Sequence, residues 1–373
     1  MRAPRLLILS PIASHPADQG NAARIQALGA ALMARGIRCE FLHLATEGSA
    51  PSQQAAMAGF WHGFHELPAA AVGEPSLPGA WAIDDWCPPD LPERLAALRR
   101  ARGYDAVLVN YVWLSAALEG AGDAFRILDT HDLFGGRDAV ARAQGLDPSW
   151  FFTTVAEEGR GLDRADLVLA IQAEEAVELR RRTRAEVATL GHMPPLRFLA
   201  GAEPRPVVPF GYLGSANPWN LAALSALDAA LAEAPDLPWL LAGRVLRRQD
   251  LRLASRPRLM PRLDDVADFY AAVDCVLNPM AGGTGLKVKT VEALAFGNPV
   301  LGTADAFAGL PAEHPGHRCA DVAALVTLMR EFRRSEPFRR GLRQASRELA
   351  LRQAASVAAA QDVLAARLRA LAA

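Results

Sequence analysis

The sequence predicts an α/β protein of two Rossmann-like domains, and three observations carry that prediction. Short apolar runs alternate with amphipathic helical stretches in both halves of the 373-residue chain, the pattern of a parallel sheet wrapped by helices. Proline density rises and periodicity lapses over residues 193–209, which marks a linker. The polar and glycine-rich segments follow the apolar runs, which is where open parallel sheets bind their ligands. The length exceeds one ordinary core, so domains are expected at residues 1–197 and 198–373, facing each other across a central cleft.

The first strand is read at residues 6–9. The basic pentapeptide before it superficially resembles a secretory signal, but the apolar run is short and ends in the polar loop 14–19, so a buried strand is expected. Residues 21–35 place Ile25, Leu28, Ala31 and Leu32 at helical spacing, Gly36 closes that helix, and residues 37–44 give the second strand. Further buried strands are expected at 106–110, 126–129 and 167–171, the last preceded by a helix carrying Glu157, Glu158, Arg160 and Arg164. From residue 46 to about 92 the pattern is poorly periodic and reads as an irregular excursion with one or two short helices. Its aromatics, Phe60, Trp61, Phe64, Trp81 and Trp86, either meet an acceptor or, on the plainer reading, pack the excursion down.

In the second half, strands are expected at residues 210–214, 239–243, Val273–Asn278 and 299–302. Helices are expected at 220–234, Val266–Ala272 and 286–296, with a glycine turn at 282–285 and Gly297 closing the last of these helices. An Ala/Arg-rich helical tail runs from about residue 336 to the end.

Bulk properties narrow the function. A net charge of −1 implies no global attraction to nucleic acid or anionic lipid, although it leaves room for peripheral membrane contact. Cys39, Cys87, Cys275 and Cys319 are widely spaced without a CxxC pair, which suits reduced thiols in a cytoplasmic protein rather than a disulfide framework or zinc site. No apolar run is long enough to span a bilayer.

The chemistry concentrates in Gly282-Gly283-Thr284-Gly285-Leu286-Lys287-Val288-Lys289, followed by Glu292 and Gly297. Glycines admit a ligand close to the backbone, and a helix N-terminus offers unpaired N–H groups to an anion. Lys289 and Glu292 share a helix face at i, i+3. Phosphate donors beside a carboxylate suit a nucleoside diphosphate, with the glutamate on the ribose hydroxyls. The plain alternative is a glycine turn capping a surface helix with solvated lysines. Against it, Lys287 and Lys289 are the only lysines in a chain whose other cationic side chains, histidine aside, are arginine. A compact ammonium is preferred where a planar guanidinium does not fit.

This segment resembles the signature of family 4 glycosyltransferases, in the variant GGTGLKxKxxEALAxGxPVV. The usual motif has two glutamates; here the second is Glu292 and the first position is Thr284. The resemblance implies a GT-B fold and a role for the backbone around Gly283, Thr284, Gly285 and Leu286 at the donor sugar and phosphates. The segment from Phe210 through Gly214 to Asn220 is similar to the family's first donor-domain glycine loop. Many members carry arginine directly after that glycine and lysine five residues later; this chain has Ser215 and Asn220. Charge would then come from Lys287, Lys289 or Arg244, while Asn220 reads equally as a helix N-cap. Asp264-Asp265 precedes a helix and is read as a cap rather than a metal site. In the N-terminal half, Gly20-Asn21-Ala22-Ala23-Arg24 resembles the family loop that reaches donor phosphate or acceptor. His131, in Asp129-Thr130-His131-Asp132 at a strand end, resembles the family's sugar-contacting histidine, with Arg137 a weaker candidate.

The resemblance therefore implies a retaining transfer from a nucleotide-diphosphate sugar, without a metal or other cofactor, to a saccharide, lipid-linked or small-molecule acceptor. His131, Lys287 and Glu292 are expected to carry the chemistry, and domain closure to exclude water. Two alternatives stay open: a catalytically inactive GT-B subunit binding nucleotide or a partner, and a sugar-nucleotide epimerase of the same fold.

Overall fold

The computed structural model describes the chain apart from Met1, Glu47, Ala70, Ala71, Ser149, residues 200–207, Arg262, Asp264 and Ala373. It forms two compact units, Met1–His192 with Ser356–Ala373, and Met193–Ala355. The proline-dense middle of the expected linker lies outside the described residues.

The first unit is built on β1 (Arg5–Ser10), β2 (Arg38–Ala45), β3 (Phe64–Pro68), β4 (Ala106–Asn110), β5 (Phe125–Asp129), β6 (Leu167–Ala170) and β7 (Glu186–Thr189). These seven strands are parallel, in the order β3-β2-β1-β4-β5-β6-β7. The pleat explains their near-continuous apolar runs: Leu7 and Leu9 of β1 enter the core on one face, Leu6 and Ile8 the core on the other. The connecting helices are α1 (Gly20–Met33), α2 (Pro51–Phe60), α3 (Leu91–Arg102), α4 (Arg137–Ala143), α5 (Val155–Leu162) and α6 (Ala173–Arg182).

The irregular excursion is more ordered than its sequence suggests, since it holds both α2 and the strand β3. Its aromatics pack it down. Trp61 is buried, stacks on Phe41 with centroids 5.0 Å apart and donates through Nε1 to Ser14 Oγ at 2.9 Å. The same ring lies over Gly29, where an added Cβ would sit 2.0 Å from the indole. Trp81 and Trp86 pack edge to face, and Trp86 packs in turn on Trp113.

The second unit contains β8 (Val208–Leu213), α7 (Pro218–Ala232), β9 (Trp239–Ala242), β10 (Arg258–Met260), α8 (Val266–Ala272), β11 (Val273–Asn278), α9 (Val288–Ala295), β12 (Val300–Gly302) and α10 (Val322–Arg334). Its parallel sheet runs β10-β9-β8-β11-β12. Leu224, Leu227 and Leu231 of α7 share a core with Leu325, Met329 and Phe332 of α10. Cys39, Cys87, Cys275 and Cys319 are all buried free thiols.

The final helix α11 (Glu336–Leu371) starts in the second unit, and its last turns belong to the first. The sequence division assigned the whole tail to the C-terminal domain. Leu364, Ala365 and Leu368 instead complete the core of Leu6, Ile8 and Ile25, and Asp362 pairs with Arg35 at 2.7 Å. Helical periodicity reports that a face is buried, not against what.

Candidate functional site

In both sheets the strand order reverses beside the first strand of the unit, between β1 and β4 and between β8 and β11. The loops leaving these strands at their carboxyl ends carry nearly all the candidate residues, as expected of a topological switch point.

In the second unit, Gly282, Gly283 and Gly285 adopt φ of 68°, 82° and 73°, a left-handed run that side-chain-bearing residues resist. Lys287 occupies the N-cap position of α9, and its Nζ turns back to donate to the main-chain oxygens of Gly283 (3.2 Å), Thr284 (3.2 Å) and Gly285 (2.9 Å). The ammonium thus braces the glycine turn that shapes the loop. Leu286 is buried beneath it. Thr284 Oγ1 is sealed from solvent without a hydrogen-bond partner.

Lys289 lies in the first turn of α9 and behaves differently. Its Nζ donates to Asn220 Oδ1 at 2.9 Å and sits 5.6 Å from the Tyr212 ring centroid. Burial pulls the ammonium from its usual 10.5 down to about 7, with Glu292 opposing the shift. Burial likewise raises the Glu292 carboxyl, against a hydrogen bond from the Tyr270 hydroxyl at 2.9 Å and the charge of Lys289. Burial thus pushes a lysine and a glutamate on the same helix face toward neutrality.

Asn220 is the third residue of α7 and not its cap. Asn217 Oδ1 takes that role, accepting from Asn220 N at 2.8 Å and from Asn220 Nδ2 at 2.6 Å. That second bond directs Asn220 Oδ1 toward Lys289 and the Tyr212 hydroxyl, the latter at 3.1 Å. Ser215 is half-buried and makes no side-chain hydrogen bond among the described residues, and Arg244 is exposed. Gly214 has a packing reason of its own: a Cβ there would meet Val245 Cγ1 at 2.7 Å. Asp265 caps α8 by accepting from Ala267 N at 2.9 Å, while Asp264 lies outside the described residues.

In the first unit, Gly20 and Asn21 begin α1. Arg24, one turn on, is buried and forks onto Asp129 with Nε–Oδ2 at 3.0 Å and Nη2–Oδ1 at 2.8 Å. It also donates to the main-chain oxygens of Leu190 and Gly191, so one guanidinium ties α1 to the strand ends. Burial alone would raise the Asp129 carboxyl, but Arg24 and His131 hold it below the usual range. His131 follows β5 at a left-handed φ of 61°, stacks on Tyr111 with centroids 4.3 Å apart and is 9% exposed. A non-glycine residue in that region is a strained placement that the surroundings must hold. Burial lowers its imidazole to about 4, Asp129 opposing and Arg24 assisting. Asn21 reaches the Tyr111 hydroxyl, which brings the α1 loop to the same stack. Arg137 pairs with Asp132 at 3.3 Å.

Sequence reasoning missed Tyr270, Asn217 and Asn110, which orient Glu292, Asn220 and His131. Only Asn110, at the end of an apolar run, had a position that signals function.

Residues 209–332 match the family model for glycosyl transferases group 1, so the second unit carries a domain of that type. No curated protein matches the chain at a significant level. Among solved structures, sucrose-phosphate synthase from Thermosynechococcus elongatus superposes with a TM-score of 0.75 at 19% identity, over 98% of this chain and 99% of that one. Anabaena HepE in complex with UDP and glucose gives 0.70 at 14% identity, over 98% and 100%. A glycosyltransferase from Rickettsia africae gives 0.67 at 12%, over 100% and 99%. At such identities the neighbours establish the fold, a two-domain Rossmann-like GT-B architecture. The matched domain supports a glycosyltransferase. Among the described residues, no helix is long and apolar enough to cross a membrane.

Proposed function

We propose that the chain is a family 4 type glycosyltransferase that moves a sugar from a nucleotide-diphosphate donor to a saccharide, lipid-linked or small-molecule acceptor. Transfer proceeds with retention and without a metal ion. The observation that carries this reading is Lys289. Its ammonium, lowered to about 7 by burial, donates at 2.9 Å to Oδ1 of Asn220, the residue standing where many family members have a lysine. The cation absent from α7 is supplied from α9 at the same spot, which favours a working donor site over an inactive subunit.

Lys289 and the first N–H groups of α9 stabilise charge on the departing diphosphate. Lys287 keeps the glycine turn in shape, so that the backbone of Gly283, Thr284 and Gly285 approaches the donor. Glu292 accepts from the ribose hydroxyls, and His131 contacts the sugar. Four buried thiols suit a reducing, cytoplasmic setting. HepE is found in complex with UDP-glucose, which makes uridine donors the first to try.

The test is a panel of nucleotide sugars incubated with the protein in EDTA, with nucleoside diphosphate release and sugar transfer both read. Release or transfer from one donor is expected. Tight nucleotide binding without turnover would establish the inactive-subunit alternative, and interconversion of free sugar nucleotides the epimerase.

A further inference from the structure

Asn110 ends β4 with its side chain buried. One end of its amide meets the main-chain oxygen of Leu9 at 2.8 Å, and the other meets His131 Nε2 at 2.8 Å. A main-chain carbonyl can only accept, so the group facing Leu9 is the amino end, and Oδ1 faces the histidine. An amide oxygen also only accepts. His131 Nε2 must therefore carry a hydrogen. Asp129 Oδ2, 3.7 Å from the same nitrogen, favours the same arrangement. A neutral imidazole has a single N–H, which leaves Nδ1 with a bare lone pair. Nδ1 has no hydrogen-bond partner among the described residues and is not one of the polar atoms sealed from solvent. The charged and titratable groups packed around the ring are Arg24 and Asp129, paired with each other, Tyr111 beneath it, and His192, itself lowered by burial to about 3.

We infer that Asn110 is a positioning residue that locks His131 as the Nε2–H tautomer and presents Nδ1 as an acceptor for a sugar hydroxyl. The substrate half of this statement rests on the reading of His131 as a sugar contact; the tautomer does not. The Leu9 carbonyl fixes the amide, the amide fixes the imidazole, and the imidazole faces the ligand with an acceptor only. A donor whose hydroxyl at that point is replaced by hydrogen or fluorine loses the bond, because neither replacement can donate.

The experiment is nitrogen-15 NMR of the histidine-labelled protein at pH 7 and 8, with the His131 signals assigned by their loss in His131→Gln. A protonated Nε2 and an unprotonated Nδ1 at both pH values are expected, and a protonated Nδ1 overturns the inference. In Asn110→Leu, which keeps the number of side-chain heavy atoms but removes the acceptor, the tautomers should mix. Turnover should fall roughly tenfold while the KM for the nucleotide sugar stays unchanged. Wild-type tautomer and turnover in that variant would likewise overturn the inference. If Asn110→Leu does not fold, the wild-type spectrum decides. Absence of turnover with every nucleotide sugar would instead count against the proposed function, and the spectrum alone would then decide the role of Asn110.

Discussion

Binding of a nucleoside diphosphate should be coupled to proton uptake by Lys289. Free of ligand, its ammonium titrates at about 7, because burial takes more from the charged form than Glu292 returns. The fall from 10.5 corresponds to about 5 kcal/mol of work to charge the group in place. A diphosphate beside the nitrogen supplies the missing counter-charge and raises its pKa toward the usual value. The bound state then holds more protons than the free state between pH 7 and the raised pKa of the bound lysine. Affinity should fall by up to about tenfold per pH unit from 7 upward, and level off below 7 where the lysine is already charged.

At pH 8 the free lysine is only about one-tenth protonated, so each binding event should take up about 0.9 of a proton. Calorimetry at pH 8 in buffers of different ionisation enthalpy reads this number directly. The window lies above the second phosphate ionisation near ~6, so the ligand contributes little. Glu292→Gln, measured alongside, removes the other titrating group of the pair. Lys289→Met should abolish the uptake and weaken binding. It should also stabilise the ligand-free protein below pH 7, where the wild type must hold a charged buried ammonium. Above 7 that advantage shrinks, because the wild-type lysine discharges in the folded state while the unfolded chain stays protonated up to 10.5. Binding at pH 8 without proton uptake would refute the placement of Lys289 at the diphosphate.

Glu292→Gln keeps an acceptor for Tyr270, so its melting temperature should change little while nucleotide affinity falls by about 1.5–3 kcal/mol, read by titration; an unchanged affinity would reduce Glu292 to a support for Tyr270. Lys287→Arg should lower the melting temperature and affinity together, by about 1–2 kcal/mol in stability, because a planar guanidinium cannot point three donors at the oxygens of Gly283, Thr284 and Gly285. Neutral behaviour would show that the turn holds its shape without the ammonium. His131→Ala should cut transfer at least tenfold more than it cuts nucleoside diphosphate affinity; equal losses in turnover and affinity would remove His131 from the sugar.

The sequence made some strands legible and hid others for one physical reason. Strands buried on both faces, such as β1, β4 and β11, appear as apolar runs, broken in β11 only by Asp274, and are legible to within a residue or two. β3, β7 and β10 are not, and all three are edge strands, whereas the fourth edge, β12, is buried throughout and was legible. An edge needs no continuous apolar run: Arg258 and Leu259 of β10 are exposed, as are Glu186 and Thr189 of β7. The excursion that looks shapeless in sequence contains β3 for this reason. The caps of α5, α7 and α10, by contrast, fall on Thr154, Asn217 and Asp321, residue types that announce a helix start.

The site was half legible in the same sense. Scarcity marked the two lysines as a pair, but only geometry separates them. Residues 287 and 289 straddle the start of α9, so one ammonium folds back over the turn and the other projects onto α7. The first is satisfied by main-chain oxygens of the turn, and its contribution is the shape of the loop. The second meets a single amide oxygen and an aromatic face, and burial lowers it to about 7 despite the charge of Glu292. A residue with adequate partners explains a conformation, while one held at a cost to the folded state calls for a ligand to complete it. By that criterion Lys289, rather than the more conspicuous turn lysine, is the residue proposed to receive the diphosphate. Asn217 belongs to the same design. By engaging the amino end of Asn220 it leaves Oδ1 to hold the ammonium in place of the lysine that the family resemblance would put on α7.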